Sequence, residues 1–274
     1  MFETDTPFII VGMVVLNREW IIGEALNSIC SQTYPHDRLF VLVIDGGSSD
    51  GTVEVARQIL KKSDFYRYEI ISQRCSIPEG RNICIEKMQG DLLLFWDSDV
   101  LMKTDAIQKL VDTLKNEKAD IVTANTRFIF ANSMDEAKIK LHKEYGNTME
   151  TYCAQPVPAT MMGHTLIRKE VFDHVHFDPD LTLYEDLDFS VRAREKGFKI
   201  VKNLGIVAFD VNLASKDYSD VFIEMPIQKA LRGLRKKARA KVLSLNFKIN
   251  LKDMIRYYRN YKGTFSTLVT SQHL

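Results

Sequence analysis

Two carboxylates, Asp97 and Asp99, follow directly on an uninterrupted apolar and aromatic run, Leu92 to Trp96. Such a run reads as a buried strand, and a buried strand that ends in paired acids needs a counter-charge nearby. In extended backbone the two side chains point to one side, and a sharp turn can bring both sets of oxygens onto one ion. Hard oxygen ligands favour Mg²⁺, Mn²⁺ or Ca²⁺. An EF-hand loop does not fit, because Leu101 and Met102 stand where that loop needs an acid and a glycine. Mg²⁺ and Mn²⁺ commonly complete their coordination with phosphate oxygens, so the pair implies a phosphorylated ligand. Taken alone, such a common triplet reads first as a pair of loop acids, one of them capping the next helix.

The surrounding elements decide between these readings. "PFIIVGMVVLN" is a β-rich run ending at Asn17, which is expected to cap a helix with Trp20, Ile21, Ala25, Leu26 and Ile29 on one stripe. "RLFVLVIDGG" is a second buried strand, and Ser48 or Ser49 is expected to cap the helix "TVEVARQILKK". "YRYEIIS" gives a third strand, followed by a helix around "PEGRNICIEKMQ". The run before Asp97 is the fourth strand, and Thr104 is the expected cap of "TDAIQKLVDTLKNEK". "ADIVTANTRF" is again strand-like, "HTLIRKEVF" a strand running into a short helix, and "KIVKNLGIVAFDVN" mostly strand. "LYEDLDFSVRAREKGF" reads as a helix with Leu187, Val191 and Arg194 at helical spacing. Strands alternating with helices predict a doubly wound, mostly parallel sheet, in which ligands bind outside the carboxyl ends of the strands. Three polar clusters fall at such ends: Asn17–Glu19, Asp45–Ser48 and Asp97–Asp99.

The bulk properties exclude little but exclude it firmly. With 274 residues, 45% of them hydrophobic and 27% charged, the chain is an ordinary globular one, neither collagen-like nor wholly disordered. The net charge of +1 conceals a basic tail: between Lys229 and Lys262 the sole acid is Asp253. Cys30, Cys75, Cys84 and Cys153 show no C-x-x-C pair and no zinc spacing, so free thiols in a reducing compartment are expected. There is no signal-peptide pattern and no apolar window long enough to span a bilayer, which predicts a cytoplasmic protein, soluble or peripheral at a membrane surface.

Three stretches together carry a resemblance. "VVLNREWIIGEALNSICSQTYPHDRLFVLVIDGGSSDGT", "EGRNICIEKMQGDLLLFWDSDVLM" and "LYEDLDFSVRAREKGFKI" resemble, in order and spacing, the successive motifs of family 2 glycosyltransferases. The resemblance covers roughly residues 8–211. It implies a GT-A fold over residues 1–214, with a nucleotide-binding part near 1–100 and an acceptor part near 101–214, followed by a basic helical extension over 215–274. It also implies a metal-dependent, inverting transfer of sugar from a nucleotide-sugar, a UDP-sugar for preference, to an acceptor hydroxyl, with Mn²⁺ or Mg²⁺.

The roles implied by the resemblance attach to individual residues. Asn17 and Glu19 line the nucleotide pocket, Asp45 takes the base or ribose, and Arg81 stands near the nucleotide. Asp97 and Asp99 hold ribose and metal, Asp99 more directly. Asp186 is the general base. Gly46 stands where the family pattern has a second acid, and Asp210 where many relatives carry a histidine facing the diphosphate. These departures loosen the expectation for base identity and for the role of Asp210. Glu185 and Asp186 are not a glycosidase pair, because adjacent helical residues point about 100° apart and cannot flank one bond.

The remaining features are weaker. His174 and His176 read as surface or turn residues, and His164 lies where relatives shape the acceptor pocket. The acceptor is a glycan, a lipid-linked sugar or a protein. The basic tail suits either an anionic membrane surface or packing on the domain or a second copy; nothing points to nucleic acid. Two rival functions remain open. A sugar nucleotidyltransferase would carry a Gly- and Arg/Lys-rich phosphate loop where this chain has "VVLNREW", and a non-catalytic nucleotide-sugar-binding protein of the same fold would not need Asp186.

Overall fold

The computed structural model describes residues 6–147, 151–181 and 184–213. The basic extension expected over 215–274 lies outside the described residues. In chain order the elements are β1 (Ile9–Val15), α1 (Ile22–Cys30), β2 (Leu39–Asp45), α2 (Thr52–Leu60), β3 (Arg67–Ser72), α3 (Ile77–Glu86), β4 (Leu92–Trp96), β5 (Val100–Met102) and α4 (Ala106–Asn116). They continue with β6 (Ile121–Ala131), α5 (Met134–Asn147), β7 (Ala154–Pro156), β8 (His164–Arg168), α6 (Lys169–Phe172), α7 (Glu185–Glu195) and β9 (Ile200–Leu213).

The strands form one sheet in the order β3-β2-β1-β4-β8-β6-β9-β5, with β7 added alongside β9. The first half, β3 to β4, is wholly parallel. Its central strands are buried along their full length, as strands covered by helices on both faces must be. The expected mostly parallel α/β sheet is therefore present. The second half is mixed: β8 runs antiparallel between β4 and β6, and β5 runs antiparallel to β9.

Two apolar layers enclose the sheet. On one face Ile9, Val11 and Met13 pack with Ile22, Leu26 and Ile29 of α1, Leu60 of α2 and Leu110 and Leu114 of α4. On the other, Ile10, Leu93 and Phe95 pack with Cys84 of α3, Phe172 of α6, and Phe189 and Ala193 of α7. The face α7 buries is thus Phe189 and Ala193 with Glu185, not the expected stripe of Leu187, Val191 and Arg194. A smaller cluster joins α5 to Ile129, Val207, Phe209 and Val211 of β6 and β9. The register of β6 against β9 shifts between Ala124 and Asn125, so the two strands bend there and continue together to residues 131 and 213.

The helix starts differ from the sequence expectation. Asn17 does not cap α1; it sits in the left-handed region (φ 51°), and the helix begins at Ile22. α2 starts after Gly51 and α4 after Asp105, with no side-chain cap from Ser48, Ser49 or Thr104. For Asn17 and the two serines, the polar group has a stronger tertiary use than a local cap. α3, in contrast, opens with a complete capping box between Ser76 and Glu79. Among the described residues no helix is long and apolar enough to cross a membrane. All four cysteines are free, Cys84 is buried, and burial pushes its thiol up to about 12.

Candidate active site

Because β2, β1 and β4 are adjacent and parallel, the three polar clusters expected at strand ends lie side by side at one end of the sheet. The first two clusters are stitched together by their own hydrogen bonds. Asn17 N–H donates to Ser48 Oγ (2.8 Å), and Ser49 N–H donates to Asn17 Oδ1 (2.9 Å). Asparagine tolerates the left-handed backbone that this exchange requires. Gly51 N–H donates to Glu19 Oε2 (3.0 Å), and Glu19 N–H donates to Asp50 Oδ2 (3.2 Å). Asp45 is 2% exposed, and its Oδ1 accepts from Ser48 N–H (3.0 Å). A side chain at residue 46 would bring its Cβ within 3.0 Å of the Cys75 carbonyl, so this backbone leaves little room for a second acid there. Burial would raise the Asp50 carboxyl, yet hydrogen bonds from the Thr52 hydroxyl and the Glu19 and Thr52 N–H groups hold it below its ordinary range.

The third cluster is built differently. Trp96 Nε1–H donates to the Val100 carbonyl (2.8 Å), closing the turn that carries Asp97, Ser98 and Asp99. Asp97 N–H donates to the Gly163 carbonyl (2.9 Å), which extends the β4–β8 ladder one step past the strand end. A Cβ at residue 163 would overlap the Asp97 carboxylate where it now stands, so glycine there lets that side chain lie against β8. The counter-charge expected at this strand end comes from two arginines. Arg81 Nη2 stands 3.7 Å from Asp97 Oδ1, and Arg18 Nε 3.8 Å from Asp99 Oδ2. Asp210 on β9 lies opposite Val100, so antiparallel pairing sets it beside the turn, and Val211 N–H donates to the Asp99 carbonyl (2.9 Å). Burial, then the charges of Asp99 and Asp97, raise the Asp210 carboxyl well above its ordinary range, although Asn212 Nδ2 donates to it (2.7 Å).

The start of α7 completes the site. Glu185 turns inward and accepts from Arg81 Nη1 (2.6 Å). Asp186 diverges from it, as adjacent helical residues do, and accepts from Leu187 N–H (2.7 Å). Burial, with Glu185 and Asp97 adding to it against the opposing pull of Arg81 and the Leu187 N–H, raises the Asp186 carboxyl to about 6. The helix is entered through Tyr184 in the left-handed region (φ 64°), an uncommon conformation for a residue of that size.

His164, by contrast, serves the core. It is 2% exposed, its two ring nitrogens pair with the hydroxyls of Thr123 (3.0 Å) and Thr126 (2.7 Å), and burial lowers it to about 4, so it is neutral. His174 and His176 are exposed, as expected of surface residues.

The structure thus gathers Asp97, Asp99, Asp186 and Arg81 with Asp210 in one place and sets Asn17 and Glu19 in the adjoining loop, with Asp45 at the end of β2. Sequence reasoning missed Arg18, Trp96, Gly163 and the use of Glu185. One signal was available: "SIPEGR" is a capping box that fixes the helix presenting Arg81, and a buried arginine demands an acid. Among the described residues no three His, Cys, Asp or Glu side chains form a ready-made metal cage. The acids nevertheless suit a hard divalent ion. They are oxygen donors at a turn, and the like charge of Asp99 and Asp97, which adds to burial in raising Asp210, is what such an ion relieves.

Comparison with known proteins bears on the family and the fold. The chain is 29% identical over 198 residues to glycosyltransferase AglE of Haloferax volcanii, covering 71% of this chain and 64% of that protein. It is 26% identical over 212 residues to the probable glycosyltransferase YdaM of Bacillus subtilis, covering 72% and 49% respectively. The chain therefore spans 64% and 49% of the length of these two relatives. Among solved structures, mannosyltransferase PcManGT of Pyrobaculum calidifontis, in complex with GDP-Man and Mn²⁺, superimposes with a TM-score of 0.63 at 15% identity, over 97% of this chain and 86% of that one. TarS of S. aureus in complex with UDP-GlcNAc gives 0.58 at 16% identity, over 77% and 61%. These likenesses carry the fold, which is the GT-A arrangement. Residues 10–176 match the profile described as glycosyl transferase family 2, and the chain belongs to that family.

Proposed function

We propose that the protein is a divalent-metal-dependent, inverting glycosyltransferase that moves a sugar from a nucleotide-sugar to an acceptor hydroxyl. The observation that carries this reading is the meeting, at one sheet end, of the Asp97–Asp99 turn with a separate acid, Asp186, that is raised to about 6. A proton acceptor poised near neutrality is what attack by a hydroxyl requires. Asp186 takes the proton as the acceptor oxygen attacks the anomeric carbon. The bond from that carbon to the diphosphate breaks on the opposite face, so configuration inverts without an enzyme nucleophile.

Asp99, with Asp97, would hold Mn²⁺ or Mg²⁺, which when bound supplies positive charge to the leaving diphosphate. Asp97 also takes the ribose. Asp45 and Asn17 form the nucleotide pocket, and Glu19 shapes it by holding the backbone at Gly51. Arg81, 5% exposed, acts on the pocket from behind. A UDP-sugar is the favoured donor, supported by the UDP-GlcNAc complex of TarS; the GDP-Man complex of PcManGT makes a GDP-sugar the alternative. The lipid-linked substrate in the name of a Methanococcus voltae relative, 22% identical over 218 residues, favours a lipid-linked acceptor. Residues 1–214 form the catalytic domain, nucleotide part before acceptor part, and 215–274 a basic extension for a membrane surface or a second copy.

The test is hydrolysis and transfer across UDP-, GDP- and dTDP-sugars with Mn²⁺, Mg²⁺ or EDTA, with the product anomer read by NMR. One donor turned over only with metal and with inverted configuration is the expected result. Turnover in EDTA, or retention, would overturn the mechanism.

A further inference from the structure

The pair formed by Arg81 and Glu185 joins residues 104 apart in sequence, and both side chains are buried. A buried ion pair is costly to desolvate and gives poor return as a source of stability alone. Its surroundings show what else it does. The guanidinium packs against the corner formed by the edge-to-face rings of Phe95 (5.8 Å) and Phe177 (5.4 Å), which hold it on its apolar side. Its neighbour Asn82 donates to the Phe177 carbonyl and accepts from the Phe177 N–H (both 2.9 Å), fixing that ring. The helix presenting Arg81 is held by its capping box, whereas α7 begins without a side-chain cap and with acids Glu185, Asp186 and Asp188 in its first turn. One end of the guanidinium grips that turn, and the other stands 3.7 Å from Asp97.

We propose that Arg81 is a positioning residue, a strut that fixes the helix carrying Asp186 against the Asp97–Asp99 turn through the Glu185 carboxylate. The proposal rests on the reading of Asp186 as the base. With the strut in place the base and the donor-binding acids keep one separation. The charge Asp186 feels is set by Glu185, Arg81 and Asp97, while Asp188 is paired with Arg192. Removing Glu185's charge lowers the Asp186 titration midpoint, and removing Arg81's raises it. These shifts report the charges of the pair, and the kcat of a variant lacking both charges reports the positioning.

The experiment follows the Asp186 carboxyl by ¹³C NMR in metal-free protein labelled at aspartate side chains, assigned with Asp186→Asn. The midpoint is expected near 6 in the parent, lower in Glu185→Gln and higher in Arg81→Met. Equal midpoints in all three overturn the proposal. Since Arg81→Met leaves a buried charge unpaired, Arg81→Met/Glu185→Leu supplies a variant that folds. Its UDP-sugar hydrolysis is expected to stay at least about tenfold down in kcat with KM little changed. Recovery of parental kcat in that variant overturns the strut. If the parent protein itself hydrolyses no UDP-, GDP- or dTDP-sugar, the enzyme reading fails, and the titration still decides whether Arg81 and Glu185 set the charge on Asp186.

Discussion

Two sets of acids stand at the same end of one sheet and are treated in opposite ways. In the loop after β1 and β2, Glu19, Asp45 and Asp50 each accept backbone N–H groups at ordinary distances, and Asp50 is held below its usual range. Around the turn after β4, Asp186 and Asp210 are raised, and the arginines beside Asp97 and Asp99 stand 3.7 and 3.8 Å away. The first set is spent on shaping a loop. The second is buried first and crowded by like charge second, and both favour a proton or a bound cation there. The proposed chemistry therefore sits in the second set, and the first shapes the nucleotide pocket beside it.

The contrast can be broken most sharply at Asp186. Asp186→Asn should cut sugar transfer by about 10²–10⁴-fold, the contribution of a general base, while circular dichroism shows an unchanged fold. For the parent, transfer should fall as pH drops through about 6, where Asp186 gains its proton; a rate flat from about pH 5 to 8 would remove it as base. Next in size is the buried pair. Arg81→Met should cost about 3–5 kcal/mol in denaturant unfolding by stranding Glu185, and Arg81→Met/Glu185→Leu should regain most of it. The scaffold set responds more mildly. Asp45→Ala leaves the Ser48 N–H without its acceptor and should cost about 1–3 kcal/mol.

The smallest effect is the most diagnostic, because its sign differs between the sets. The folded protein raises Asp186, so that carboxyl favours the fold below its ordinary 3.8 and the contribution is lost as pH rises through about 6. Asp50 is lowered, so its contribution is present above its ordinary 3.8 and is lost as pH falls through the lowered folded value. At about pH 7.5, Asp186→Asn should raise the melting temperature and Asp50→Asn should lower it; the first difference should shrink by about pH 4, and the second only below Asp50's ordinary 3.8. Shifts of the same sign at the higher pH would erase the distinction.

How much of this was legible in the sequence follows the range of the forces. The buried runs of β1, β2 and β4 announce themselves, because a strand covered on both faces must be continuously apolar, and the acids at their ends followed from topology alone. The helix starts did not follow. Asn17, Ser48 and Ser49 look like local caps, but they bond to one another across 31 and 32 residues, and tertiary partners outcompete local ones. The antiparallel insertion of β8 beside β4 could not be read from alternating strands and helices, nor could α5. Yet that insertion brings Gly163 against Asp97. Glu185 was passed over for its neighbour because its partner lies 104 residues away.

The central claim is that Asp99 belongs to donor binding and Asp186 to chemistry. It is tested most directly by measuring Mn²⁺-dependent binding and turnover of the preferred nucleotide-sugar in the parent, Asp99→Ala and Asp186→Asn. Binding lost in Asp99→Ala but kept in Asp186→Asn, with turnover lost in both, is the expected result. Undiminished binding in Asp99→Ala, or parental turnover in Asp186→Asn, would contradict it.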